Sequence, residues 1–193
     1  MICYLVRHGK DDSSVRGGWS GQPLTEEGKL QAADLASHVA ANKDSLQIGR
    51  LYASDLPRSV QTARPIADAL ALPITLLPAF REANNGDLAG MDNALAKERY
   101  PGLFWNTLEW EQKYPGGESP CDFYERIKAA WNELSSTLVT QEDNAVLVTH
   151  SGVINVILCL VNGLPNSNKV KPRSIPHATL IALEFENDEW REI

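Results

Sequence analysis

The sequence predicts an α/β fold, a three-layer sandwich with a mostly parallel central sheet flanked by helices. Three observations carry that expectation. Ile2–Val6 and Ala145–Thr149 are short, nearly continuous apolar runs, the pattern of strands buried on both faces. Strand and helix patterns then alternate as β-loop-α-β-α-β, which implies right-handed crossovers between parallel neighbours. Finally, 193 residues with 43% hydrophobic and 22% charged side chains suit one domain with a full core. The expected organisation is one domain over residues 1–193, with a lid-like insertion at about 78–117.

Each element has a local reason. Ile2–Val6 is the first strand, and Lys10 to Pro23, rich in glycine and serine, is a loop. Thr25 is a helix N-cap, with Glu26 and Glu27 favourable at the positive helix end. Apolar residues from Leu30 through Ala33, Leu35, Ala36, Val39 and Ala40 mark that helix to about Asn42. Ile48–Ala53 is the second strand. Pro57 suits the first turn of the next helix, which runs to about Ala71 with Val60, Ala63, Ile66, Ala67 and Leu70 inward. Ile74–Leu77 is the third strand. The stretch from Pro78 to Gly117, with two Tyr-Pro breaks and a short helix near Asn93 to Arg99, leaves this pattern, and long irregular insertions are usually functional. Ser119 and Pro120 open a helix to about Val139, and Ala145–Thr149 is a buried strand followed by a helix over Val153–Val161. Asn166 to Pro176 is a polar loop carrying Lys169, Lys171 and Arg173. Thr179–Phe185 is the last long strand, with Trp190 in a short pairing after it.

Composition narrows the function. A net charge of −7 argues against nucleic-acid and membrane-surface partners, while leaving room for a small anionic substrate held by local arginines. No stretch approaches the roughly 20 apolar residues of a membrane span. Arg7 and His8 interrupt the N-terminal apolar run too early for a signal peptide. Cys3, Cys121 and Cys159 are an odd, scattered set, with Cys3 and Cys159 read as reduced core residues, so a cytoplasmic location is expected.

The chemistry collects at strand ends. Two strands end alike, in a histidine followed within two residues by glycine: Arg7-His8-Gly9 and His150-Ser151-Gly152. In a parallel sheet such ends share one edge, where ligands bind in open α/β folds. Gly9 is expected to turn the chain and bring backbone N–H groups to a ligand. A third strand leads to Ser54 and, one turn on, Arg58, which as an edge residue should carry little core packing. Arg7, His8, Arg58 and His150 therefore converge as an anion site, with helix N-termini near Pro57 and Ser151 adding positive dipole ends. A metal would need three or four ligands, and two histidines beside two arginines supply too few, so neither metal nor cofactor is expected.

Six segments in order resemble the histidine phosphatase superfamily, the phosphoglycerate-mutase-like group, over nearly the whole chain. They are Arg7-His8-Gly9, Gly18 to Gly28, Ser54 to Ala63 (Ser-x-x-x-Arg-x-x-x-Thr-Ala), Glu82 with Gly86 and Gly90, Gly116 to Ser119, and Val148 to Ile154. The resemblance implies that His8 is the nucleophile, forming phosphohistidine, with Arg7, Arg58 and His150 around the phosphoryl oxygens. It implies Glu82 as proton donor to the leaving oxygen, then as base toward water. Ser14 stands where many relatives carry an asparagine phosphate ligand, and Ser151 joins the substrate-binding set. There are departures: Lys10 and Asp11 replace Gln or Glu and Thr, Leu88-Ala89 replaces Trp-Glu, and His177 replaces an asparagine, read as a structural loop histidine ahead of the alternative, a third imidazole near the site. The compact chain and its ending, Pro176 to Leu180, resemble the phosphatase branch, which includes alpha-ribazole phosphatases. The implied function is a metal-independent phosphomonoesterase acting on a small phosphorylated metabolite. The alternatives are a phosphoglycerate mutase and a non-catalytic phospho-ligand or protein-binding module.

Overall fold

The structure, a computed structural model, describes residues 1–170 and 173–193, so Lys171 lies outside the described residues. Six strands form one mixed sheet: β1 (Ile2–Arg7), β2 (Ile48–Ala53), β3 (Ile74–Leu76), β4 (Asn144–Thr149), β5 (Leu180–Glu186) and β6 (Glu189–Glu192). Their order is β3-β2-β4-β1-β5-β6. The ladders joining β3, β2, β4 and β1 are parallel, and β5 and β6 continue antiparallel. The last two strands form a hairpin closed by Asn187 and Asp188, both at positive φ (53° and 64°), the geometry of a two-residue primed turn. Trp190 lies in β6 opposite Phe185.

Strand alternation explains why β1 and β4 have no polar face. Cys3, Leu5, Ala145 and Leu147 pack under α5 (Pro120–Leu138) and α6 (Ser151–Val161). Tyr4, Val6, Val146 and Val148 pack under α1 (Glu26–Ala41) and α3 (Pro57–Leu70). Each buried Leu or Val removes apolar surface worth about 1.5–3 kcal/mol, so both faces must be covered. A one-turn helix α2 (Lys43–Leu46), absent from the sequence expectation, connects α1 to β2. No helix among the described residues is long and apolar enough to cross a membrane.

Several expectations need correction. The inward face of α1 is Gly28, Ala32, Leu35, Ala36 and Val39, while Leu30 is 67% exposed and Ala33 faces out. The first residues of α1 pack on the Gly9 loop, which rotates the buried stripe away from Leu30. Cys3 is fully buried, with its thiol pushed up to about 12 by burial, but Cys159 is only partly buried at the outer side of α6. Residues 78–117 contain α4 (Asn93–Arg99) and three short 3₁₀ segments, Pro78–Phe80, Gly86–Leu88 and Trp105–Thr107. They enclose a small core of their own, Leu88, Leu108 and Tyr114.

Candidate active site

Sheet register brings the two histidines together. Arg7 pairs with Thr149 in the parallel β1–β4 ladder, so the next residues, His8 and His150, leave the sheet at the same level. The His8 N–H donates to the Thr149 carbonyl at 2.9 Å, and the two rings lie 5.1 Å apart, edge to face. On the other side of β4, the Ser54 N–H donates to the Val148 carbonyl, which places the Ser54 hydroxyl 2.9 Å from His150 Nε2. Ser59, one turn into α3, stands 3.3 Å from the same nitrogen. Either hydroxyl can donate to or accept from Nε2, and His150 Nδ1 is buried without a hydrogen-bond partner.

His8 has a defined tautomer. Its Nδ1 lies 2.7 Å from the Gly9 carbonyl, an acceptor only, so Nδ1 carries the hydrogen and Nε2 keeps its lone pair. Nε2 accepts from Arg58 Nε at 3.2 Å. Burial, then the charges of Arg58 and Arg7, hold the His8 pKa well below the usual 6.5. His150 is lowered in the same direction, mainly by burial and then by His8 and Arg58. Both rings are thus neutral bases at neutral pH.

Gly9 does not do what the sequence suggested. Its N–H is taken by Thr62 Oγ1 at 2.9 Å, and a β-carbon there would meet the Gly28 carbonyl at 2.4 Å. The glycine lets the loop press against the first turn of α1 and offers no N–H to a ligand. Arg58 also differs from expectation. It is 1% exposed, and its guanidinium donates to the carbonyls of Gly18 (2.7 Å) and Ser20 (3.3 Å). The reason is that α3 begins under the loop following β1, which closes over the side chain.

Glu82 arrives by a separate route. Thr149 Oγ1 donates to the Phe80 carbonyl at 2.8 Å, tying the strand end to the turn before Glu82. Arg126 on α5 donates to the carbonyls of Ala79, Arg81 and Glu82 and pairs with Glu118 at 2.7 Å. Trp19 Nε1 donates to the Glu82 carbonyl at 2.6 Å. The carboxylate then accepts from the Gly152 N–H at 3.1 Å and so caps α6. A β-carbon at residue 152 would lie 2.2 Å from Glu82 Oε1, so only glycine admits the carboxylate there.

Arg7, His8, Arg58, His150 and Glu82 are therefore brought together. Arg7 Nη1 donates to the Ile175 carbonyl at 2.6 Å, and its Nε is buried without a partner. Ser151 opens α6 and lines the cavity beside Arg7 and Glu82. Ser14 is apart: it is exposed, its N–H donates to Asp12, and its hydroxyl bonds the same carboxylate. The sequence reading placed Ser54, Ser59 and Thr62 in a motif without giving them a role, and did not single out Arg126. The first three fall within one motif, at spacings that put them around the start of α3, whereas Arg126 carries no local signal.

His177 is not remote: its position matches the lower-ranked of its two sequence readings, a third imidazole near the site. Its ring is 5.8 Å from that of His8, because Ala178 N–H donates to the Arg7 carbonyl and holds the chain against the end of β1. Donor atoms of His8, Asp11 and His177 lie within 4.8 Å of one another, a set of two imidazoles and a carboxylate, one ligand more than the two histidines of the sequence count. Arg58 Nε stands 3.5 Å from Asp11 and 3.2 Å from His8 Nε2, so a fixed cation already borders the space between them. Beside Arg7 and Glu82 opens a cavity of about 920 Å³, walled also by Arg16, Ser151 and the aromatic residues Phe104, Trp105, Tyr114 and Phe123.

The arrangement offers a free imidazole nitrogen, fixed cations and a positioned carboxylate, the parts of phosphoryl transfer. Known proteins agree. The model of the histidine phosphatase superfamily (branch 1) matches residues 3–192. The protein named "Probable phosphoglycerate mutase GpmB" of Enterobacter sp. (strain 638) is 30% identical over 194 residues, covering 97% of this chain and 86% of that protein. Its counterpart in Proteus mirabilis is 29% identical over 192 residues with the same coverage. Among solved structures, mycobacterial glucosyl-3-phosphoglycerate phosphatase superposes with TM-score 0.77 at 26% identity, covering 100% of this chain and 96% of that one. Alpha-ribazole phosphatase from Shigella flexneri shares the fold, with TM-score 0.84 at 22% identity over 100% and 95% of the two chains. Family match, sheet topology and strand-end histidines lead to one assignment: this chain belongs to the histidine phosphatase superfamily.

Proposed function

We propose that the chain is a metal-independent phosphomonoester hydrolase acting through a phosphohistidine at His8 on a small phosphorylated metabolite. One observation carries this reading. The His8 Nδ1–H is committed to the Gly9 carbonyl, so an unprotonated Nε2 faces the arginine clamp. In the first step Nε2 attacks phosphorus and the ester P–O bond breaks, while the protonated Glu82 carboxyl gives its proton to the departing oxygen. In the second step Glu82 takes a proton from water, the water oxygen attacks phosphorus, and the P–N bond returns its pair to Nε2. Arg7 and Arg58 neutralise the charge of the transferring group throughout, the part a metal plays elsewhere. His150 completes the group around the phosphoryl oxygens.

The test is an acid-quench experiment with a labelled phosphate ester, with and without chelator. The expected result is a base-stable, acid-labile phosphoryl group on wild type, absent from His8→Ala, with turnover reduced at least about a thousandfold. Full activity in His8→Ala would overturn the proposal. A second reading, a phosphoglycerate mutase, is favoured by the names of the sequence relatives. Interconversion of 2- and 3-phosphoglycerate faster than phosphate release would establish it instead.

A further inference from the structure

Three adjacent strands bring a histidine to one edge of the sheet, and the chemistry above uses two of them. β4 runs parallel to β1 on one side, so His150 leaves it beside His8. β5 runs antiparallel to β1 on the other side, with Leu180 opposite Val6, so the chain entering β5 passes the end of β1. His177 lies on that entering chain. Its ring is 5.8 Å from the His8 ring, and the His150 ring is 5.1 Å away. An imidazole thus stands on each side of His8.

The chain carrying His177 is anchored on both sides of it. Arg7 Nη1 donates to the Ile175 carbonyl at 2.6 Å, and the Ala178 N–H donates to the Arg7 carbonyl at 2.9 Å. Ala178 takes a φ of 51°, in the left-handed region that a side chain disfavours. Such strain persists where the surroundings over-determine it, commonly beside a site of chemistry. His177 is half-buried, and its Nε2 is buried without a hydrogen-bond partner among the described residues.

The spacing fits a small group between the rings. A nitrogen of His8, a nitrogen of His177 and a carboxylate oxygen of Asp11 lie within 4.8 Å of one another. An oxygen of a group carried on His8 then comes within reach of a hydrogen bond of about 2.8 Å from His177. Asp11 Oδ2 stands 3.5 Å from Arg58 Nε, so an anionic oxygen already fits among these donors. Burial, then the charge of Arg7, lower the His177 pKa from 6.5; Lys10 acts in the same direction, and Asp11 and Glu27 act against it. The ring is neutral at neutral pH and has one N–H to give.

We propose that His177 is a further catalytic residue, standing on the β5 side of His8 as His150 stands on the β4 side, and that its imidazole N–H donates to an oxygen of the phosphoryl group in transit on His8 Nε2. The proton stays on the ring, so the contact neutralises charge and moves no atom. This rests on the reading of His8 as phosphoryl acceptor.

The experiment measures phosphorylation of His8 by p-nitrophenyl phosphate and by an alkyl phosphate, and then its dephosphorylation. His177→Phe keeps a ring and removes the donor. Both steps should slow at least about tenfold, since a donor aimed at the transferring group acts in each. Phosphorylation should slow by the same factor for the two esters, because the contact is to oxygens that stay on phosphorus. His177→Ala serves if the phenylalanine variant does not fold. Asparagine places an amide N–H where Nδ1 stands, and glutamine places one where Nε2 stands. Either His177→Asn or His177→Gln should therefore recover most of the loss, and the one that does identifies the donating nitrogen. Calorimetric binding of orthovanadate, a mimic of the phosphoryl group in transit, should weaken at least about tenfold in His177→Phe. That arm needs no turnover and still judges His177 if no phosphohistidine forms and the hydrolase reading fails. Smaller losses in the folded phenylalanine and alanine variants, or losses that neither amide recovers, would overturn the proposal.

Discussion

The two sides of the cavity are built differently. One side hangs from the sheet. His8, His150 and Ser54 follow strands whose register is set by parallel ladders, all three are buried, and His150 Nε2 meets the Ser54 hydroxyl. The other side is made by chain that leaves the sheet. Arg16, Phe104 and Tyr114 come from the loop after β1 and from residues 78–117, held by isolated bridges such as Val15 to Asp92 and by a small separate core. A sheet edge places atoms to within a hydrogen bond because every residue along the strand shares the same constraint. Irregular chain can change its lining without disturbing that edge. The strand-end histidines belong to the first side, and most of the aromatic lining to the second.

Perturbing the sheet side should have the larger consequences. Arg58→Ala is expected to lower turnover by about 10²–10³-fold, the usual worth of a positioned charge at the transferring group. It should also destabilise the protein by about 2–3 kcal/mol, since Asp11 and the carbonyls of Gly18 and Ser20 lose a buried donor. Denaturant titration and steady-state kinetics read the two effects separately. Wild-type stability in the variant would contradict the buried role the structure gives this side chain.

Glu82 joins the two sides, since it stands on irregular chain but caps α6. Glu82→Gln should slow phosphorylation by alkyl phosphates about a hundredfold and by p-nitrophenyl phosphate far less, because nitrophenolate leaves without a proton. Pre-steady-state rates for both ester types make the comparison. Equal losses would mean that the carboxyl only shapes the cavity.

The buried histidines have a measurable signature in stability. Both are lowered below 6.5 in the folded protein, so the unfolded chain binds more protons as pH falls beneath that value. Stability is then greatest above about pH 6.5. It declines toward the depressed folded values by up to about 1.4 kcal/mol per pH unit for each ring. In His150→Gln that decline between pH 6.5 and 5 should be shallower than in wild type. Parallel curves would show that His150 is not held neutral.

The smallest change is expected at Asp11. Its carboxylate is the anion nearest Arg58 in this structure, 3.5 Å away, and it raises the pKa of both clamp arginines. Asp11→Asn should tighten binding of inorganic phosphate by at least about threefold, as removal of a like charge beside the site requires. Calorimetry on wild type and variant decides it, and weaker phosphate binding in the variant would count against Asp11 as a competing anion.

Much of the fold and of the sheet-borne site was legible from local pattern. Val148-Thr149-His150 announces a strand end because a buried apolar run has to stop where polar chemistry begins. Glu82 was reached through the resemblance, since no local periodicity marks it. The misreadings share a cause. Arg58, Gly9 and His177 were judged by their own elements, but each is defined by chain that folds over it. The loop after β1 buries Arg58, Gly28 presses on Gly9, and the Ala178 to Arg7 hydrogen bond brings His177 to His8.

The sequence by itself determined the alternation of strands and helices, the apolar β1 and β4, and the histidine at the end of each. Those features follow from periodicity and burial, which are properties of neighbouring residues. Only the tertiary structure decided which nitrogen of His8 keeps its lone pair, how Arg126 and Thr149 carry Glu82 to the start of α6, and that Arg16 is left without an acid. The His8 bond joins neighbours in a turn, while the contacts that place Glu82 join groups 44 to 70 positions apart in sequence, and they exist once sheet register and loop packing have brought those groups within a few ångströms.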